Sequence, residues 1–267
     1  AVGVVDVTRR RRWFLPETPD VLGLLRSQVA VTLEGLDAFG AWAGGDWHGA
    51  ARILDELLER WPADVLAVWA GHALDFFRGD AANLRDRPGR SLAAFDPAHP
   101  HTAFVRGMQA FGLEESGHYE AAEDAGLAAV AVNPDDVWAI HAVTHTYEMR
   151  GRVATGVEFL TRRERDWGTG NLFTVHNWWH LALFQLELGD PAAALAIYDR
   201  EVHHDGSEAT ALNLVDASAM LWRLYLDRVD AGPYRWVVLG GSADATPRPG
   251  NVVHTYGLTE TGGGIVY

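Results

Sequence analysis

The sequence predicts an all-α protein assembled from repeated pairs of helices, and three observations carry that prediction. Glycines recur at steps of about 34 to 38 residues along the middle of the chain: Gly45, Gly79, Gly117, Gly151 and Gly189. A polar residue and then a segment suited to a helix follow these glycines. Small residues and prolines also recur at fixed offsets from them, which indicates one structural unit used several times.

The spacing identifies the unit. A period near 34 residues that holds a helix, a short turn and a second helix is the signature of the tetratricopeptide repeat. Ala122, Ala129 and Pro134 follow Gly117 at the expected offsets. Glycine ends the first helix in a left-handed cap, alanine lets paired helices approach closely, and proline ends the second helix. We therefore predict a tetratricopeptide-like helical-repeat solenoid.

The recurring glycines and prolines also predict where the helices lie. First helices are expected at about 65–78, 101–115, 135–150, 174–188 and 211–227. Second helices are expected near 47–60, 118–132, 152–165 and 191–202. Such pairs stack so that the first helices line a concave face. Residues 233–267 are expected to form an irregular or short-stranded C-terminal tail.

Composition limits the partners and the chemistry. The 267 residues are 48% hydrophobic and carry a net charge of −14, which disfavours binding to nucleic acid or to an anionic membrane. The chain has no cysteine, so disulfides, zinc ribbons and thiol nucleophiles are excluded and any metal must use His, Asp or Glu. No apolar stretch reaches the length of a spanning helix, and no signal peptide is visible. We expect a cytoplasmic protein.

Two pairs of histidines are the most informative local feature. His141 and His145 lie four residues apart, and His176 and His180 repeat that spacing. Residues four apart lie on one helix face, one turn apart, and Glu148 extends the first stripe. Both pairs fall on first helices that should pack side by side. We expect the four imidazoles to converge in the concave groove.

This set of side chains suits a metal site or an acid–base site. If metal binds, zinc is the first candidate, with His141, His145, His176 and His180 as ligands and Glu148 as a ligand or a base. Zinc would lower the pKa of bound water towards about 7 and let it attack a carbonyl group. Without metal, His145 and Glu148 remain a candidate general acid–base pair. The alternative is structural: buried histidines that hydrogen-bond between stacked helices.

Other side chains have weaker claims on the same groove. Asp216 and Arg223 are candidate substrate-binding groups, since arginine presents a planar fork to a carboxylate, although an interhelical ion pair is the alternative. Trp179 is a third candidate, and His72 is a weaker one. Glu114 and Glu115 end a first helix, and we expect them to be capping-turn or surface residues.

Two functions are therefore open. One is a metal-dependent hydrolase acting on a small molecule. The other is a non-catalytic scaffold, because tetratricopeptide arrays commonly hold extended peptides in the same groove. A peptide groove usually offers Lys, Arg and Asn to a carboxylate. Histidines and aromatic residues occupy this one, which favours a small molecule.

Long segments of the chain resemble a known family. NPDDVWAIHAVTHTYEMRGR, HNWWHLALFQLELGD and VDASAMLWRLYLDR resemble the tetratricopeptide repeat protein 38 family, over residues of about 41–232. The resemblance implies an α-helical repeat protein and brings no established reaction. The residues that match the family pattern are His141, His145, His176, His180, Glu148, Trp138 and Trp179.

The two ends resemble other families. Residues of about 12–46 are similar to the first helix of PhoU-like phosphate-transport regulators. Residues of about 234–267 are similar to adenylate-forming acyl-CoA ligases, whose YGLTE segment implies nucleotide and magnesium binding at Tyr256, Thr259 and Glu260. The phosphate loop, most of the sheet and the lid of that enzyme are absent. The chain thus divides into residues 1–40, 41–232 and 233–267, and a misassembled chain without a function as a whole is a further alternative.

Overall fold

The structure is a computed structural model that describes residues 20–171, 173–204, 207 and 210–235. Side chains are described from Thr32 onward, Ala211 excepted. The PhoU-like resemblance therefore lies partly outside the described residues. The ligase-like segment, including Tyr256, Thr259 and Glu260, lies outside them almost entirely.

The described part of the chain is helical and contains no strand. Its helices are α1 (Asp20–Ala43), α2 (Trp47–Arg60), α3 (Val65–Phe77), α4 (Ala81–Leu92), α5 (Thr102–Glu115), α6 (Tyr119–Val132), α7 (Val137–Met149), α8 (Val153–Arg162), α9 (Glu164–Trp167), α10 (Thr174–Glu187), α11 (Pro191–Ile197) and α12 (Ala211–Leu226). A π-helical turn, Tyr198–Val202, continues α11. The predicted all-α helical-repeat class is confirmed.

Aspartate and glycine set the boundaries of the helices, for the reasons that the sequence indicated. The aspartates that cap helix starts accept a hydrogen bond from the amide three residues on, and they are Asp46, Asp64, Asp80, Asp136 and Asp190. The predicted turn glycines all have positive φ, between 64° and 86°. Glycine adopts this conformation without the steric cost that a Cβ would impose.

The structure contains one helix to which the sequence analysis assigned no range, and it alters two others. Helix α4 follows Gly79, although Pro88 and Gly89 lie within or beside its last turns and both disfavour a helix. Tertiary contacts stabilise it, since the buried Arg87 forms hydrogen bonds to Asp75 on α3 at 2.7 and 3.1 Å. The second helix predicted at 152–165 is interrupted at Arg163, and the one at 191–202 changes to π-helical hydrogen bonding.

Three apolar clusters hold the described helices together. The largest joins α7, α8, α10 and α12 through side chains such as Ile140, Leu160, Phe184 and Met220. A second lies between α1, α2, α3 and α5, and a small third one joins α4, α5 and α7. Helices α7 and α10, which carry the histidine pairs, therefore sit within the largest core. No helix of the described residues has the length and apolar character needed to span a membrane.

Helices α4 and α5 approach so closely that Gly112 has no room for a side chain. A Cβ at this position would lie 2.3 Å from the carbonyl oxygen of Leu84 and 2.5 Å from the backbone of Arg85. Backbone atoms cannot move aside as a flexible side chain can. We predict that Gly112→Ala destabilises the protein by about 1 to 3 kcal/mol, as measured by urea unfolding.

Gly35 in α1 is the matched control, because a Cβ there meets no atom of the described residues within 4 Å. Gly35→Ala should leave stability unchanged or raise it by up to about 1 kcal/mol, as alanine favours a helix. Equal stability of the two variants would show that α4 and α5 are not in close contact.

Candidate functional site

The four predicted histidines converge between α7 and α10. One ring nitrogen from each of His141, His145, His176 and His180 lies within 4.8 Å of the other three. Ring centroids are 4.1 Å apart within the α7 pair and 4.6 Å apart within the α10 pair. Three of the rings are buried, and the His176 side chain is 18% exposed. His176 is therefore the member of the cluster closest to solvent.

Carboxylates fix the orientation of the two α10 rings. The Nδ1 atom of His176 lies 2.9 Å from Oδ1 of Asp216, and that of His180 lies 2.8 Å from Oε2 of Glu148. An ionised carboxylate only accepts hydrogen bonds, so each Nδ1 carries the proton and each Nε2 carries a lone pair. Those two Nε2 atoms face each other at 3.1 Å. Two lone pairs at this distance repel unless a proton or a metal cation lies between them.

His145 has a different carboxylate contact. Its Nδ1 lies 3.4 Å from Oε2 of Glu114, and this oxygen forms no hydrogen bond within the described residues. Burial alone lowers the pKa of His145, but the charges of Glu114, Glu148 and Glu115 outweigh burial and raise it to about 9. The Nε2 atom of His145 is also buried without a hydrogen-bond partner in the described chain.

The expectation that Glu114 is a capping-turn or surface residue is wrong, since it is only 4% exposed. The repeat contained a signal for it. Glu114 precedes the turn residue Gly117 by three positions, as Glu148 precedes Gly151. Equivalent positions on successive first helices face the same way, so both glutamates reach the histidine cluster. Glu115, beside it, is half-buried, and burial together with the charge of Glu114 raises its pKa to about 7.

His141 is held by aromatic rings alone. It stacks on Phe173 at 4.6 Å between centroids and contacts Phe111 at 5.4 Å. Neither ring nitrogen has a hydrogen-bond partner among the described residues. Burial lowers the pKa of His141, and so do the neighbouring histidines; the pKa of His180 is lowered in the same way. These two imidazoles are therefore neutral and able to donate a lone pair.

The predicted substrate-binding residues lie on the α12 side of the cluster. Asp216 is 3% exposed and bonded to His176. Trp179 is buried and lies parallel to the His176 ring at 5.6 Å. The guanidinium of Arg223 lies 5.6 Å from the Trp179 ring, and its charge lowers the pKa of Glu148, although burial, the larger effect, raises it. Asp216 and Trp179 thus contact His176, while the half-buried Arg223 contacts Trp179.

His72 stands apart from the cluster. Its ring packs edge-on against Phe111 and Trp138, at 5.9 and 5.3 Å between centroids. Its described ring contacts include none of the four clustered histidines. Burial lowers its pKa to about 3. His72 is accordingly a neutral side chain of the core.

No protein-family model matches the chain, but solved structures share its fold. A tetratricopeptide repeat protein from Parabacteroides merdae superposes with a TM-score of 0.58 at 14% identity, covering 80% of this chain and 78% of its own. PilF of Pseudomonas aeruginosa superposes with a TM-score of 0.54 at 17% identity, covering 82% of this chain and 95% of its own. TTC0263, a thermophilic tetratricopeptide protein of Thermus thermophilus, superposes with a TM-score of 0.54 at 18% identity, covering 72% of this chain and 99% of its own. At these identities the likeness establishes the tetratricopeptide fold alone.

The neutral state of His72 predicts a contribution to acid lability. As the pH falls below about 6.5, the unfolded chain protonates His72, whereas the folded chain resists until about pH 3. The unfolded state binds more protons in this window, so stability falls by up to about 1.4 kcal/mol per pH unit. His72→Leu should make the free energy of unfolding less dependent on pH between 6.5 and 3, as measured by urea titration at each pH.

The exposed His99 provides the control, and His99→Leu should retain the wild-type dependence. An unchanged slope in His72→Leu would show that His72 titrates normally in the folded protein.

Proposed function

We propose that this tetratricopeptide-fold protein binds a divalent transition-metal ion, with zinc as the first candidate, between α7 and α10. The observation that carries the proposal is the pair of carboxylate-oriented rings whose Nε2 atoms face each other at 3.1 Å. Two nitrogens on a tetrahedral zinc ion, with bonds of about 2.0 to 2.1 Å, lie about 3.3 to 3.4 Å apart. A small movement of His176 and His180 would accommodate the ion.

The remaining ligands come from α7. His141 and His145 each present a buried ring nitrogen without a hydrogen-bond partner in the described chain, and each unpartnered buried group costs about 1 to 3 kcal/mol. Coordination to metal would remove that cost. Asp216 and Glu148 then act as the outer carboxylates that commonly orient histidine ligands and raise their basicity.

The proposed chemistry is hydrolysis. A zinc ion held by three of the four histidines would leave its fourth position to water and would lower the pKa of that water to about 7. His176 faces solvent most, so a substrate carbonyl would approach from the side of α12. Glu148 is the proposed acid–base group, since it lies within the cluster and burial raises its pKa.

The proposed substrate is a small molecule that carries a carboxylate. Arg223 supplies positive charge at the α12 side of the cluster, beside Trp179. A guanidinium binds a carboxylate through two parallel hydrogen bonds. We also propose that the chain is related to the tetratricopeptide repeat protein 38 family and that it is located in the cytoplasm.

Metal content tests the proposal directly. After incubation with Zn²⁺ and removal of the excess, the wild-type chain should retain at least about one equivalent by mass spectrometry. His176→Ala/His180→Ala should lose the ion bound by the cluster, because it removes the two facing nitrogens. His99→Ala/His101→Ala is the matched control, since it also removes two neighbouring rings, 5.2 Å apart, at exposed positions; it should retain the ion.

Zinc retention is compared only between variants whose circular dichroism shows the helical content of the wild type. A wild-type chain that retains no zinc after reconstitution would contradict the proposal. So would full retention of zinc in the His176→Ala/His180→Ala variant.

A peptide-binding scaffold is the second candidate, and exposed apolar side chains favour it. Leu66 and Trp69 on α3 are 56% and 40% exposed, and Phe104 on α5 is 39% exposed. First helices line the concave binding surface of such arrays. A chain that binds no metal would make this function the leading one.

A further inference from the structure

A second group of ligand atoms adjoins the histidine cluster. One carboxylate oxygen from each of Glu114 and Glu115 lies within 4.8 Å of a ring nitrogen of His145 and of each other. Glu114 and His145 are buried, and Glu115 is half-buried. Oε2 of Glu114 and Oε1 of Glu115 are both buried without a hydrogen-bond partner in the described part of the chain. Buried carboxylate oxygens without a hydrogen bond are positioned to bind a cation or a proton donor.

The distance between Glu114 and His145 indicates whether Glu114 orients the His145 ring or binds a cation together with it. Where a carboxylate orients a ring in this site, the contact is a hydrogen bond of 2.8 or 2.9 Å. The contact from His145 Nδ1 to Glu114 Oε2 is 3.4 Å and is not a hydrogen bond. It equals the separation of about 3.3 to 3.4 Å that a tetrahedral zinc ion imposes on two of its ligand atoms. Glu114 is thus placed as a ligand rather than as an orienting group.

Charge balance supports a cation at the same position. Glu114 and Glu115 are adjacent, buried or half-buried, and repel each other when both are ionised. A divalent cation bound between the two carboxylates would relieve that repulsion.

We propose that Glu114, Glu115 and the Nδ1 atom of His145 form a second divalent-cation site, next to the site of the four histidines. This inference rests on the proposed metal-binding function. His145 serves both ions, with Nε2 towards the histidine cluster and Nδ1 towards the glutamates. A ring that binds through both nitrogens is an imidazolate, so its second N–H proton is released to solvent as the second ion binds.

The experiment is a titration of the apo chain with Zn²⁺, followed by calorimetry, with the bound metal counted by mass spectrometry. The wild type should bind two ions per chain. Glu114→Gln/Glu115→Gln keeps the size of both side chains and removes both anionic ligands, so it should bind one ion. Glu120→Gln is the matched control: Glu120 lies on the neighbouring helix α6 and its side chain is 86% exposed. It should bind two ions.

The outcomes distinguish the second cation site from the proposed metal site of the four histidines. One ion per wild-type chain, lost in His176→Ala/His180→Ala, would overturn the second site and leave the histidine site standing. Two ions in Glu114→Gln/Glu115→Gln would also overturn the second site, and no ion in the wild type would overturn both. If the double variant loses helicity, Glu115→Gln alone replaces it. That variant should weaken the second binding event at least about tenfold without changing the first.

Discussion

The hydrogen bonds from Asp216 to His176 and from Glu148 to His180 are the interactions on which the candidate site depends. Each ring donates its Nδ1–H to the carboxylate, which keeps the proton on Nδ1 and leaves the two Nε2 lone pairs facing each other. Without these carboxylates both rings could rotate or change tautomer, and the cluster would be an ordinary set of core histidines. With them, the four rings converge on one position, which favours a cation there.

The repeat explains why the required groups meet. Each glycine turn returns the chain so that successive first helices lie side by side, and residues at equal distances from the turn face the same side. Glu114 and Glu148 occupy one such pair of positions on α5 and α7. The buried rings of Phe111 and Phe173 fill the space around His141, and the low polarity that they create keeps it neutral. Fold and site therefore follow from the same spacing.

The sequence predicted what depends on periodicity and missed what depends on packing. The spacing of glycines and prolines predicted where most of the helices lie. The four-residue spacing within each histidine pair predicted that its two rings lie on one face of a helix. The glycine spacing indicated a helix after Gly79 but assigned it no range. Pro88 and Gly89 oppose this helix, α4, locally, and the buried ion pair of Arg87 that stabilises it is a tertiary contact. The long contact of Glu114 with His145 likewise depends on how α5 meets α7. The position of Glu114 at the end of a first helix had indicated a capping-turn or surface residue.

The most direct test of the metal site is zinc X-ray absorption on the chain loaded with one equivalent of Zn²⁺. A zinc ion bound by the histidine cluster should show three or four nitrogen ligands at about 2.0 to 2.1 Å, with the outer-shell scattering of imidazole rings. An all-oxygen first shell without imidazole scattering would contradict it, because the ion would then be bound at surface carboxylates and the four histidines would be core residues of the repeat.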